Sequence, residues 1–157
     1  MISKIMFRLI FISVFLNLIN CAGPLMAQEG MAVVESSYSV EETADRVQNS
    51  INEMGLTLFQ RIEHHENAAG VNLELPPTTL FIFGNPALGT QLMMCGRTVA
   101  ADLPMKMLVW QTETGEIHIG FNEPAYLQQR HNLEGCEEAL NKASNALSDI
   151  AIGAAGK

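Results

Sequence analysis

The stretch 79-TLFIFGNPALGTQLMM-94 decides the fold of this chain. Its first five residues are mostly β-branched or aromatic, which is typical of a strand. Asn85 is a good helix N-cap, and Pro86 suits the first helical position, where its missing N–H is no loss. The stretch therefore predicts a strand, a turn at Gly84 and a short helix over residues 87–94. Free N–H groups at the start of that helix would favour an anion or another polar ligand.

The first 27 residues have the pattern of an export signal. Lys4 and Arg8 precede an apolar run over residues 9–19, which is short for a membrane span and typical of a signal peptide. Cleavage after Ala27 would leave Gln28 first and make the protein periplasmic or secreted. Cleavage before Cys21 is the alternative, and it would attach a lipid to that cysteine. A membrane partner is expected only in that second case.

The remaining chain is strongly acidic. Removing Lys4 and Arg8 with the signal leaves seven Lys or Arg against 17 Asp or Glu, a formal net charge of −10. Such a surface repels phosphate backbones, so nucleic acid is not expected as a partner. Residues 33–152 suffice for one domain with a conventional core. We expect a flexible tail over residues 28–32 and a disordered C-terminus over residues 153–157.

Apolar periodicity predicts the other elements. Ser39 and Glu42 form a capping box that begins a first long helix. A final helix covers residues 136–150, and strands are predicted over residues 33–38, 56–62, 105–111 and 116–121. The apolar residues that recur at helical spacing are Val40, Ala44, Val47, Ile51 and Met54 in the first helix and Cys136, Leu140, Ala143, Leu147 and Ile150 in the last. The order β-α-β-(α)-β-α-β-β-α-α predicts an α+β two-layer sandwich.

Several short motifs in fixed order give the chain a family resemblance. They are Ile62-Glu63-His64, residues 73–78, residues 80–86, Gly89-Thr90, Leu92-Met93, Leu103-Pro104, Val109-Trp110, residues 122–127 and Arg130-His131. The chain resembles the domain-of-unknown-function family 302 over roughly residues 33–150. The resemblance implies a TATA-binding-protein-like α+β fold, often dimeric, with no established biochemical activity.

Five residues are candidates for binding a small ligand or a metal: His64, Asn85, Thr90, Arg130 and His131. His64 and Asn85 each follow a predicted strand, so neighbouring strands would bring both to one edge. Arg130 beside His131 could balance an anion held after Asn85. We therefore predict one pocket lined by His64, Asn85 and Thr90, with His131 or Arg130 at its rim or across a dimer interface. His65 and His118 are expected in solvent.

Three functions remain open at this point. The first is a non-catalytic exported domain that binds a small ligand or metal through the Gly84-Asn85-Pro86 loop (the GNP loop) and nearby histidines. The second is an enzyme that uses His64 and His131 as an acid–base pair. The third is a structural module that forms a homodimer. No cofactor and no particular metal follow from these motifs.

The two cysteines after the signal are expected to stay apart. Cys136 lies on the apolar stripe of the last helix, where a thiol packs as a small hydrophobe. Cys95 ends a helix from a distant part of the chain, and nothing local brings the two together. The prediction is two free thiols.

Overall fold

The computed structural model describes residues 29–157. The predicted signal peptide over residues 1–27, with Cys21, lies outside these residues. In chain order the elements are β1 (Met31–Ser36), α1 (Val40–Glu53), β2 (Thr57–Glu63), α2 (His64–Ala69), β3 (Thr78–Gly84), α3 (Pro86–Cys95), a 3-10 helix (Arg97–Ala101), β4 (Met105–Gln111), β5 (Ile117–Asn122), α4 (Pro124–His131) and α5 (Glu137–Ala155). The predicted order of strands and helices is confirmed.

The five strands form one antiparallel sheet in the order β1-β5-β4-β3-β2. At one end of the sheet Gly84 of β3 lies opposite Thr57 of β2, and we call this the GNP end. At the other end Glu63 lies opposite Thr79, and we call it the His64 end. The register fixes which loops meet, because every strand terminus belongs to one of these two ends.

Helices α1 and α5 cover one face of the sheet, as the amphipathic pattern predicts. The Ser39 hydroxyl accepts a hydrogen bond from the Glu42 N–H (3.2 Å) and caps α1. Val47 and Ile51 of α1 and Ile150 of α5 are fully buried against Phe81 and Ile119 of the sheet. This packing confirms the α+β prediction.

A second apolar cluster joins the shorter helices. It brings together Leu92 of α3, Val99 of the 3-10 helix, Leu127 of α4 and Leu140 of α5 with Leu133, which lies in the loop between the last two helices. This cluster fixes α3 against the beginning of α5, and it is therefore what positions the helix that follows the GNP loop.

The predicted tails are more ordered than the sequence suggested. β1 begins at Met31, inside the expected flexible tail, because Met31 pairs with Asn122 of β5. The C-terminus was predicted to be disordered from residue 153, yet α5 continues to Ala155. Ala154 and Ala155 are fully buried, and the Ala155 carbonyl accepts a hydrogen bond from the Ser37 N–H (3.1 Å). Small residues that look like a frayed end are here the ones that fit closely against the sheet.

Among residues 29–157, no helix is long and apolar enough to cross a membrane.

Candidate functional site

The GNP loop satisfies its own hydrogen bonds. The Asn85 side-chain oxygen accepts from the N–H groups of Ala87 (2.9 Å) and Leu88 (3.2 Å), and the Asn85 carbonyl accepts from Gly89. Thr90 donates its hydroxyl to the Pro86 carbonyl (2.8 Å). The N-cap prediction is therefore right, with the helix beginning at Pro86. The expectation of free donors for an anion is wrong, because Asn85 already occupies them.

A cleft of about 360 Å³ opens beside this loop. Its walls come from α3, from α5 and from the segment that leads into β4, and its floor includes Phe83 of β3. Asn85 and Thr90 both lie in its wall, as predicted. The other lining residues are Leu56, Phe59, Gly84, Pro86, Leu88, Gly89, Leu92, Met93, Ala100, Leu103, Pro104, Met105, Ala143, Ala146 and Leu147.

His64 lies at the wrong end of the sheet for this cleft. It follows Glu63, which pairs with Thr79, six residues before Asn85 along β3. At about 3.3 Å per strand residue, the two positions are roughly 20 Å apart. The single-pocket prediction is therefore wrong for His64. Sequence showed that both residues follow strands, but β2 and β3 are antiparallel neighbours, so their C-terminal ends point in opposite directions.

A polar cluster occupies the His64 end instead. The Glu63 carboxylate accepts hydrogen bonds from Thr79 (2.5 Å) and from Arg61 (2.6 Å), and His65 lies 3.9 Å away. Burial favours the neutral acid, but these hydrogen bonds and the Arg61 charge outweigh it and hold the pKa of Glu63 below its usual range. Arg61 also reaches Asp45 of α1 (3.1 Å). The cluster thus links the edge strand to the helix above it.

His65 is not the solvated residue that the sequence predicted. Its Nδ1 lies 3.2 Å from the backbone nitrogen of Thr78 and accepts that N–H, so the ring holds the first residue of β3. His118 is likewise not solvated: it is only 3 % exposed and packs edge-on against Trp110, with ring centroids 5.3 Å apart. Strand alternation placed His118 on the correct face, but gave no sign that Trp110 would cover it.

His131 belongs to a separate group at the end of α4. Its Nε2 donates to Asp102 (2.6 Å), and its Nδ1 lies within hydrogen-bond distance of the Thr98 hydroxyl (3.0 Å). Arg130 approaches the same carboxylate at 3.4 Å. The His131 side chain is 7 % exposed, and neither Arg130 nor His131 lines the cleft. The group ties α4 to the 3-10 helix.

The predicted His64–His131 acid–base pair is also contradicted. Asp102, the partner of His131, precedes β4, whose first residue, Met105, pairs with Phe83 at the GNP end. His64 lies beyond the opposite end of the strands. The two imidazoles therefore cannot act on the same atom of a small substrate.

Cys95 and Cys136 form a disulfide, with their Cα atoms 6.3 Å apart. The prediction of two separate thiols is wrong. Cys136 is buried with the second apolar cluster, as its spacing suggested, but the same cluster brings the end of α3 to the beginning of α5. The sequence does not predict this contact, because the two cysteines are 41 residues apart and meet only through the packing of α3 against α5.

Within residues 29–157, no group of three or more His, Cys, Asp or Glu side chains is arranged to hold a metal ion. The lining residues that sequence reasoning missed are apolar, such as Phe59, Leu103 and Ala146. Only their proximity in the fold distinguishes them from ordinary core residues.

The chain is similar to a known protein family and to several curated proteins. The family model described as "Domain of unknown function DUF302" matches residues 32–150. Curated relatives include "Fluoride-specific ion channel FluC 1" of Brucella suis biovar 1, 45% identical over 114 residues, which cover 73% of this chain and 45% of that protein. The protein of the same name from Brucella abortus biovar 1 is equally similar over 42% of its length. The chain thus spans less than half of the length of these relatives.

Among solved structures, the chain is similar to the crystal structure of an uncharacterized conserved DUF302 protein from Bacillus stearothermophilus. The TM-score is 0.71 at 21% identity, and the match covers 79% of this chain and 97% of that one. At this identity the likeness supports the fold alone.

Proposed function

Because this chain belongs to the DUF302 family, whose function is described as unknown, we propose its function from its own cleft: it binds a small ligand beside the GNP loop. One observation carries the proposal. The cleft is already formed, and its volume of about 360 Å³ falls within the range of small-molecule sites. The histidines of the sequence hypothesis take no part in this proposal.

The rigidity of the walls supports a binding role. Asn85 caps α3 at one end, and the Cys95–Cys136 disulfide joins its other end to α5. A site whose walls are held before the ligand arrives has a smaller ordering cost on binding.

Native mass spectrometry of the protein purified from cells that produce it tests the proposal. We expect a bound species of a few hundred daltons. Ala146→Phe places a ring in the cleft and should abolish that species, whereas Asn145→Phe adds the same ring to an exposed position of the same helix and should leave it. A species that is missing from the unaltered protein, or equally present in both variants, would contradict a ligand site in this cleft.

The face of the sheet opposite α1 and α5 supports a second proposal, self-association. Strand alternation and register place seven apolar side chains on this face, which we call the outer face: Met31, Val33, Ile62, Leu80, Ile82, Leu108 and Trp110. Each is half-buried, and within the described residues none is a member of either apolar cluster.

A second copy of this chain is the occupant that suits this face. Five strands about 4.8 Å apart and about 20 Å long give the outer face a flat area of roughly 500 Å², and the side chains that project from it increase its accessible surface. That approaches the ~800 Å² per partner of a standard stable interface. By alternation, the ionised side chains of the outer face are Glu35 and Lys106, whose charges cancel. Residues 29–157 as a whole have a formal net charge of −10, so this neutral face is where two copies can approach with the least repulsion.

The name of the curated relatives supports one further candidate role, in fluoride transport. The observation in its favour is the 45% identity with part of proteins named as fluoride-specific ion channels. Removing this chain from cells that produce it should then lower the fluoride concentration that stops growth, and supplying the chain again should restore tolerance. Unchanged growth in fluoride would remove this candidate.

A further inference from the structure

Among residues 29–157, no charged side chain lines the cleft. The polar side chains of this lining are those of Asn85 and Thr90, and the Asn85 side-chain oxygen and the Thr90 hydroxyl proton are already hydrogen-bonded to the backbone of α3. A charged group that entered the cleft would lose water and meet no side chain of opposite charge among residues 29–157, which is strongly unfavourable. The chemistry of the walls therefore selects against ions and against strongly polar ligands.

Phe59 supplies an independent observation. Leu58 of β2 pairs with Phe83, and Gln60 pairs with Ile82, the next residue on β3, so Phe59 is the extra residue of a β-bulge. Bulges redirect a side chain out of the regular alternation. Here the redirected ring lies in the cleft wall and is 50% exposed. The exposed half of the ring is not buried by the free protein and is available to cover an apolar ligand.

We propose that the cleft binds an uncharged, apolar ligand, such as an aryl or alkyl group, and that Phe59 packs over it. This inference depends on the proposed ligand-binding function and specifies its chemical class. Most of the contact comes from Leu88, Met93 and Leu103 on one side and Ala146 and Leu147 on the other. The free energy of binding comes from removing these side chains and the ligand from water, and any charged group of the ligand would remain outside the cleft.

Two fluorescent probes that differ by one charged group test the class of ligand. N-phenyl-1-naphthylamine is uncharged, and 8-anilino-1-naphthalenesulfonate has the same ring systems with an added sulfonate. Titrated into the purified protein, the uncharged probe should bind at least about tenfold more tightly. Equal or tighter binding of the sulfonate would overturn the apolar class while leaving a ligand site in place.

Variants locate the probe. Phe59→Ser should weaken binding of the uncharged probe by about five- to tenfold, since half of a phenyl ring would no longer be buried by the ligand. Leu73→Ser removes an apolar side chain that is 65% exposed and lies outside the cleft, and it should have no effect. Equal effects of the two variants would mean general surface adsorption and would overturn the role of Phe59.

The experiment separates failure of this inference from failure of the proposed function. If neither probe binds, and Ala146→Phe changes nothing in native mass spectrometry, the cleft is not a ligand site at all. If a native ligand is found and proves to be charged within the cleft, only the chemical class is wrong.

Discussion

Glu63 shows how one carboxylate can hold an edge strand in place. It accepts hydrogen bonds from Thr79 on the neighbouring strand and from Arg61 on its own strand, and it is 23% exposed. Arg61 continues the link to Asp45 of α1. We therefore assign Glu63 a stabilising role, separate from the cleft at the other end of the sheet.

The lowered pKa of Glu63 predicts a pH-dependent stability. A carboxyl whose pKa is lower in the folded state stabilises the fold above its unfolded pKa and loses that effect as the pH falls through the folded value. At pH 7, Glu63→Gln should lower the free energy of unfolding by about 1–2 kcal/mol, because charge-assisted hydrogen bonds are lost. The difference from the unaltered protein should shrink as the pH falls below 4.

Urea unfolding at a series of pH values measures this effect. Glu74→Gln, in the exposed segment before β3, makes the same charge change without these partners and is the matched control. If the free energy of unfolding of Glu63→Gln stays below that of the unaltered protein by the same amount down to pH 3, Glu63 stabilises the fold through packing and not through its charge.

At the scale of elements, α3 is the helix on which the cleft depends. Asn85 fixes its first turn, and the disulfide fixes its last residue to the residue before α5. Between these ends, Leu88, Leu92 and Met93 all line the cleft, and Leu92 is also buried in the second apolar cluster. The helix therefore contributes both to the core and to the wall of the site.

Removing the disulfide should destabilise the protein and loosen the cleft. In the chain-entropy model, a disulfide that closes a loop of 41 residues raises the free energy of unfolding by about 4 kcal/mol. The Cys95→Ala/Cys136→Ala protein should therefore unfold at a clearly lower denaturant concentration than the oxidised protein. It should also bind N-phenyl-1-naphthylamine more weakly under conditions in which it is fully folded.

A reducing agent provides the control for this prediction. It should lower the stability of the unaltered protein towards that of the double variant and leave the double variant unchanged. If the double variant is as stable as the oxidised protein, the second apolar cluster alone holds α3.

Sequence predicted elements far better than it predicted the site. The Ser39 N-cap of α1, the stripe of α5 and the Asn85-Pro86 helix start are local signals, and each is found in the structure. Of the two bonds of the predicted capping box, the described residues show the one from the Glu42 N–H to the Ser39 hydroxyl. The cleft is formed where residues of α3, α5 and β2 come close together in the fold, and no local sequence pattern contains that proximity. His64 was misplaced and the disulfide missed for the same reason: strand direction and helix packing are properties of the whole fold.

At the scale of the whole molecule, the two faces of the sheet differ in what covers them. Buried residues of α1 and α5 pack against the inner face, while the apolar side chains of the outer face remain half-buried. We expect the protein to form a homodimer through the outer face. Leu108→Glu, at the middle of the sheet, should shift the mass measured by sedimentation equilibrium from dimer to monomer.

Leu73→Glu is the control, because it adds the same charge at an exposed position before β3. It should leave the dimer intact. Sedimentation equilibrium of the unaltered protein should extend to about 100 times the concentration used in the probe titrations. If the protein is still a monomer there, the homodimer proposal is wrong. Circular dichroism of each variant confirms that a change of mass is not a change of fold.

The sheet register has a practical consequence for attaching this protein to a surface. β1 begins at Met31 opposite Asn122, which is the GNP end, and the Glu123 N–H donates to the Gly30 carbonyl (2.8 Å). The other terminus leaves from the far end, where Ser37 holds Ala155. A linker after Lys157 therefore immobilises the molecule with its cleft directed away from the support. A linker before Gly30 leaves beside the end of the sheet at which the cleft opens, so bulky supports there would compete with the ligand for space.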